Sequence, residues 1–180
     1  RNKILKSAFE LFSAKGFDGV TVNELMTNCG LTRGAFYAHF SGKSVLYNDA
    51  LKYAAASSKL AELRPSHMDN KEWLKQLLDA YLSIEHVNGT RPCPLAFLAT
   101  DIVTQDNTTR ETYADVYQGM NKTIMAYASD FSNCTEDDVL SITSMMIGAV
   151  AISRTLNDPE KITRLLNACK GEIESILERN

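Results

Sequence analysis

Cysteine, proline, histidine and tryptophan are all scarce in this 180-residue chain, at four, four, three and one copies. The cysteines Cys29, Cys93, Cys134 and Cys169 form no C-x-x-C pair. That spacing argues against a zinc knuckle and favours reduced thiols over a disulfide framework. His39, His67 and His86 are scattered, and no H-E-x-x-H, phosphate-cradling glycine loop or nucleophile elbow occurs. Neither an enzyme, nor a metal, nor a cofactor is expected. No apolar run reaches the roughly 18 residues that a membrane span needs. No signal-peptide pattern surrounds Arg1, Lys3 and Lys6, so a cytoplasmic protein is expected.

What is present is hydrophobic side chain, at 44%, enough to build a packed core and to argue against disorder. The net charge of −3 is unevenly spread. Residues 1–50 carry six Lys/Arg against four Asp/Glu (+2), leaving thirteen against eighteen (−5) for the rest. The first quarter is thus the part better suited to a polyanion, and an acidic body discourages wrong-way docking on one.

Nearly the whole chain reads as helix. Ile4, Leu5, Ala8, Phe9, Leu11 and Phe12 repeat at helical spacing, and Gly16 ends that helix. About nine helices are expected, with further ones over roughly 43–63, 71–87, 94–103, 108–130 and 136–156, and a last one opened by Asp158-Pro159. Thr135 followed by Glu136, Asp137 and Asp138 is a helix start whose acidic side chains suit the positive helix end.

The most telling stretch is Thr21–Phe40. Thr21 and Glu24 have capping-box spacing, Cys29-Gly30-Leu31 stops the first short helix, and Thr32 can cap a second from Arg33 to Phe40. Two short helices about such a turn make a helix-turn-helix, whose second helix can lie in the DNA major groove. Phe36 and Phe40 face the core if Arg33 and Tyr37 face out, because residues four apart share a helix face. Cys29, at the corner, reads as structural.

The run Gly30-Leu31-Thr32-Arg33-Gly34-Ala35-Phe36-Tyr37-Ala38-His39-Phe40, followed by Lys43 and Leu46-Tyr47, resembles the DNA-binding domain of TetR/AcrR-type transcriptional regulators. So does the upstream pattern Ile4, Ala8, Leu11, Phe12, Gly16-Phe17 and Thr21-Val22. The resemblance covers about the first 50 residues. It implies an all-α protein with a three-helix, homeodomain-like reader at residues 1–46 and a larger helical ligand-binding and dimerisation domain at 47–180. The implied behaviour is that of a bacterial homodimeric repressor, released from a palindromic double-stranded operator by a small-molecule inducer. Thr32, Arg33, Gly34 and Ala35 would approach base edges, with Arg33 suited to guanine, Gly34 to close backbone approach and Ala35 to a thymine methyl. Tyr37, His39, Thr21 and Lys43 would hold phosphates.

Two sets of residues are candidates for the implied C-terminal roles. The small side chains of Ser141, Ser144, Gly148, Ala151 and Thr155 would meet a dimer partner together with an apolar face carrying Ile162, Leu166, Cys169 and Ile173. Trp73, Tyr81, His86, Cys93, Phe97, Tyr113, Tyr117, Met120 and Met145 could line a pocket for a mixed apolar ligand, plain core being the alternative for each. Cys93, at an expected helix start close to Arg91, also admits a redox- or electrophile-sensing regulator. A helical interaction module that does not touch DNA is the remaining alternative.

Overall fold

Ten helices account for the regular structure in a computed structural model that describes residues 1–57, 64–89 and 93–179, and no strand occurs among them. They are α1 (Asn2–Lys15), α2 (Val22–Asn28), α3 (Arg33–Tyr37), α4 (Lys43–Ser57), α5 (Asn70–Tyr81), α6 (Ile84–Asn88), α7 (Pro94–Phe97), α8 (Asn107–Ala128), α9 (Glu136–Ser153) and α10 (Pro159–Leu177). The all-α class is as expected. One expected helix over 71–87 is two, because Leu82 leaves helical geometry (φ −92°, ψ 52°) and the Ser83 hydroxyl accepts from His86 N at 3.1 Å to start α6. The helix expected over 94–103 ends at Phe97 and is followed by a 3-10 turn, Ile102–Thr104. The expected extension of α4 beyond Ser57 lies outside the described residues.

Contacts divide the chain into two compact units, Arg1–Ser58 with Pro92–Val116, and Lys59–Arg91 with Tyr117–Asn180. The first unit has an aromatic core. Ile4, Ala8 and Phe12 of α1 pack with Leu25 and Met26 of α2, with Phe36 and Phe40, and with Leu46, Tyr47 and Leu51 of α4. Phe12 and Phe17 both meet Tyr47 in T-shaped pairs, with ring centroids 4.8 and 5.2 Å apart, an arrangement that adds to simple area burial. Leu98 and Ile102, from far along the sequence, close the same core.

In the second unit α9 and α10 lie against one another. Thr135 and Asp138 form a complete capping box at the start of α9, and Asp158 accepts from Glu160 N and Lys161 N at the start of α10. Both starts were legible in the sequence. Lys170 of α10 pairs with Asp79 of α5 at 2.8 Å.

Candidate nucleic-acid interface

The presentation of α3 begins with how α2 starts and stops. Thr21 takes extended geometry and its hydroxyl accepts from Glu24 N at 3.2 Å. The return half of the expected capping box is replaced: Glu24 pairs with Lys15, whose ammonium holds the Glu24 carboxyl below its ordinary range. At the other end Gly30 adopts φ +65°, its N–H reaches Thr27 O at 2.9 Å and Leu31 N reaches Met26 O at 2.8 Å. That pair of bonds is the Schellman motif. The left-handed residue would strain any side chain, so the corner needs glycine.

Thr32 then occupies the N-cap position of α3, but its hydroxyl makes no capping bond. It is exposed, as are Arg33 and Gly34, while Ala35 is half-buried. Phe36 is fully buried at 0% exposure and Phe40 is also buried, whereas Tyr37 is 56% exposed with its ring braced edge-on against Phe36 at 5.0 Å. His39 is exposed beside Phe40. The inward and outward faces of α3 are therefore as expected. A Cβ added at Gly34 would meet only Thr32 Oγ1, at 3.8 Å, so nothing within the chain requires glycine there.

Lys43 does not stand free. Its ammonium donates to Phe17 O at 2.7 Å and Val20 O at 2.9 Å, and lies 4.1 Å from the Phe17 ring centroid. The side chain expected to hold a phosphate instead satisfies two carbonyls of the α1–α2 connection, leaving only the start of α4 itself for such a role. Asp101 serves the same connection and was missed by sequence reasoning, since it lies outside any recognisable motif. Its carboxylate accepts from Phe17 N at 3.1 and 3.2 Å and from the Tyr47 hydroxyl at 2.6 Å. Burial and that neighbouring charge push the Tyr47 phenol far above its usual range, so it stays protonated and donates.

The residues expected to bind a ligand are divided between the units. Cys93, Phe97 and Tyr113 belong to the first, and Trp73, Tyr81, His86, Tyr117, Met120 and Met145 to the second. Tyr113 donates to Leu95 O at 2.6 Å, so its hydroxyl ties α8 to α7. Cys93 is buried at 7% exposure, and its expected neighbour Arg91 lies outside the described residues. In the second unit Tyr81 stacks on His86 with centroids 4.7 Å apart, and Tyr117 bonds the Thr143 hydroxyl at 3.1 Å. His86 Nε2 and Trp73 Nε1 are buried without hydrogen-bond partners, and burial holds the His86 imidazole below its ordinary pKa. An open groove along α10, lined by Pro159, Glu160, Thr163, Arg164, Asn167 and Ala168, contains none of the nine.

The expected dimer residues also separate. Ser141, Ser144 and Thr155 are exposed, and Gly148, Ala151 and Cys169 are half-buried. Ile162, Leu166 and Ile173 are buried within their own chain, Ile173 completely. For these three residues the expectation of an interface role gives way: the strongest apolar stripe of α10 is consumed by the chain's own core. The outward face of α10 instead carries Thr163, Asn167, Gly171 and Ser175, and that of α9 adds Leu140 and Ile152 at 44% and 53% exposure. The strict four-residue spacing of 163, 167, 171 and 175 was the available signal.

The family model for bacterial regulatory proteins of the tetR family matches residues 4–50, which span the whole of this exposed helix-turn-helix. The helix-turn-helix segment is a DNA-binding domain of the tetR family. A curated relative, the HTH-type transcriptional regulator YerO of Bacillus subtilis (strain 168), is 40% identical over 53 residues, covering 29% of this chain and 18% of that protein. The negative regulator of the biofilm operon icaADBC, IcaR of Staphylococcus aureus (strain Newman), is 33% identical over 52 residues, 29% of this chain and 28% of that protein. The match thus spans less than a third of either relative. Both are regulators and not enzymes. Among solved TetR folds, E. coli NemR in its reduced form superposes with a TM-score of 0.83 at 15% identity, over 97% of this chain and 94% of that one. A TetR regulator from Chloroflexus aurantiacus J-10-FL gives 0.80 at 20% identity, over 98% and 93%. These two establish the fold over the length of the chain. No described helix is long and apolar enough to cross a membrane.

Proposed function

We propose that this TetR/AcrR protein is a homodimeric transcriptional repressor that binds a palindromic operator in the bacterial cytoplasm and leaves it when a small molecule occupies its C-terminal helices. The observation that carries this reading is the two-sided α3. Phe36 and Phe40 are locked in the core, while Thr32, Arg33, Gly34 and Tyr37 stand exposed on a five-residue helix. Such a helix reads bases with its N-terminal residues and is oriented by phosphate contacts. Arg33 is suited to guanine, the half-buried Ala35 to a thymine methyl, and Tyr37, His39 and Thr21 to phosphates. In this division of labour residues 1–46 read DNA and residues 47–180 dimerise and sense.

One short helix contacts too few base pairs for useful specificity, so two-fold pairing through the outward faces of α9 and α10 completes the reader. Repression is supported by the role of IcaR as a negative regulator. For the ligand, Tyr81, His86, Trp73 and the Tyr117–Thr143 pair in the second unit are favoured, because unpartnered buried polar atoms there await a donor or acceptor. The thiol reading of Cys93 is weaker: the reduced NemR structure suggests redox chemistry, but reactive thiols sit in partly exposed surroundings and Cys93 is buried.

Selection of bound duplexes from a random pool, followed by mobility shifts over a salt series, tests the reading. It expects an inverted repeat and an affinity that falls steeply with salt. Recovery of no enriched sequence would favour a helical interaction module.

A further inference from the structure

We propose that Asp101 is a positioning residue for DNA reading: from the segment that carries Leu98 and Ile102 it clamps the α1–α2 connection to α4, and so fixes the aim of the helix-turn-helix. The proposal rests on the DNA-binding reading above.

Asp101 stands at the start of the 3-10 turn Ile102–Thr104, yet it makes no side-chain cap there. An aspartate at a helix start ordinarily accepts from its own backbone one turn on. Here the carboxylate is turned away, to Phe17 N and to the Tyr47 hydroxyl. One side chain thereby joins three pieces that are distant in sequence. The backbone of the clamped connection comes very close: a Cβ at Gly16, whose φ is +71°, would sit 3.2 Å from Asp101 Oδ1. Lys43 holds the same connection from α4 through Phe17 O and Val20 O. Donor and acceptor groups of the short link between α1 and α2 are thus taken up by one acid and one base.

The clamp is anchored rather than loose. Leu98 and Ile102, three residues before Asp101 and one after, are buried in the reader's core, and Asp101 N bonds Leu98 O at 3.1 Å. Any displacement of this segment is felt at Phe17 and Tyr47. Asp101 lies outside residues 4–50, so the aim of the reader depends on chain beyond the family-matched segment. Without the clamp, the reading-competent arrangement becomes one of several, and apparent affinity falls by the fraction that remains competent. Sequence-independent binding to phosphates needs no fixed aim and is spared.

The test uses the full-length protein and its selected operator. Asp101→Asn and Tyr47→Phe are compared with wild type in affinity for the operator and for a scrambled duplex, and in amide hydrogen exchange at Phe17 and over residues 21–40. The expected result for Asp101→Asn is an operator affinity lower by about tenfold, the scale of losing hydrogen bonds to a charged acceptor, with scrambled-duplex affinity unchanged. Faster exchange at Phe17 should accompany it. Tyr47→Phe, which removes one bond and keeps the ring, should give a smaller loss in the same direction. Equal losses on operator and scrambled duplex would make the role one of general stability and overturn the proposal. Unchanged exchange at Phe17 in both variants would overturn it too, and if Asp101→Asn fails to fold, unchanged exchange at Phe17 and over 21–40 in Tyr47→Phe would do so. Should wild type bind no DNA, the repressor reading fails separately, and exchange at Phe17 and across 21–40 still decides whether Asp101 holds the connection.

Discussion

The two halves of the molecule put small side chains to opposite uses. In the reader, Gly30 is required by its own backbone, at φ +65° in a Schellman turn. In α9, Gly148 is required by nothing within the chain, since a Cβ there would meet no atom within 4 Å. Gly34 on α3 resembles Gly148 in this, with only a distant Thr32 hydroxyl nearby. A glycine that its own fold does not need, in a helix that would gain from losing it, marks a surface kept low for something to approach. In the function proposed above, DNA approaches α3 and a second copy of the chain approaches α9.

Substitutions break or sharpen this contrast. The largest effect is expected from Phe36→Ala. Emptying a fully buried ring site costs about 3–5 kcal/mol, enough to unfold the reader, and thermal melts followed by circular dichroism will show it. Next is Gly34→Leu, which should leave the melting temperature the same or slightly higher while lowering operator affinity at least tenfold in a mobility shift. Tyr37→Ala and Arg33→Ala should likewise weaken binding without unfolding, Arg33→Ala by about 1–3 kcal/mol with relaxed choice at one base pair. Gly148→Leu should keep the helical spectrum and convert the proposed dimer to monomer in sedimentation. An unaltered dimer would move the interface elsewhere.

The smallest effect is in pH. His86 has its pKa depressed below the ordinary 6.5 by burial. The unfolded chain therefore takes up the proton first as pH falls, and stability present above about pH 6.5 is lost progressively below it. His86→Asn should flatten that part of the pH–melting curve, and a curve of unchanged slope would remove His86 from the account.

Local chemistry explains what could be read from residues alone. The starts at Thr21, Thr135 and Asp158 and the stop at Gly30 are decided within four residues, so the sequence displays them. The faces of α3 followed from a four-residue period and two phenylalanines. What residues alone did not display is decided at long range. Lys43 was assigned to phosphate because its partners, carbonyls of Phe17 and Val20, belong to a turn and have no signature. Asp101 was missed because its partners lie 54 and 84 positions away. Ile162, Leu166 and Ile173 were assigned to a partner subunit because an apolar stripe looks the same whether its own chain or another covers it.

The most direct measurement is selection of bound duplexes by the wild-type protein alongside Gly34→Leu and Arg33→Ala. Wild type should return an inverted repeat, Arg33→Ala a changed or degenerate base preference within each half-site, and a correctly folded Gly34→Leu no enrichment. Identical enriched sequences and affinities for all three would show that α3 does not face DNA.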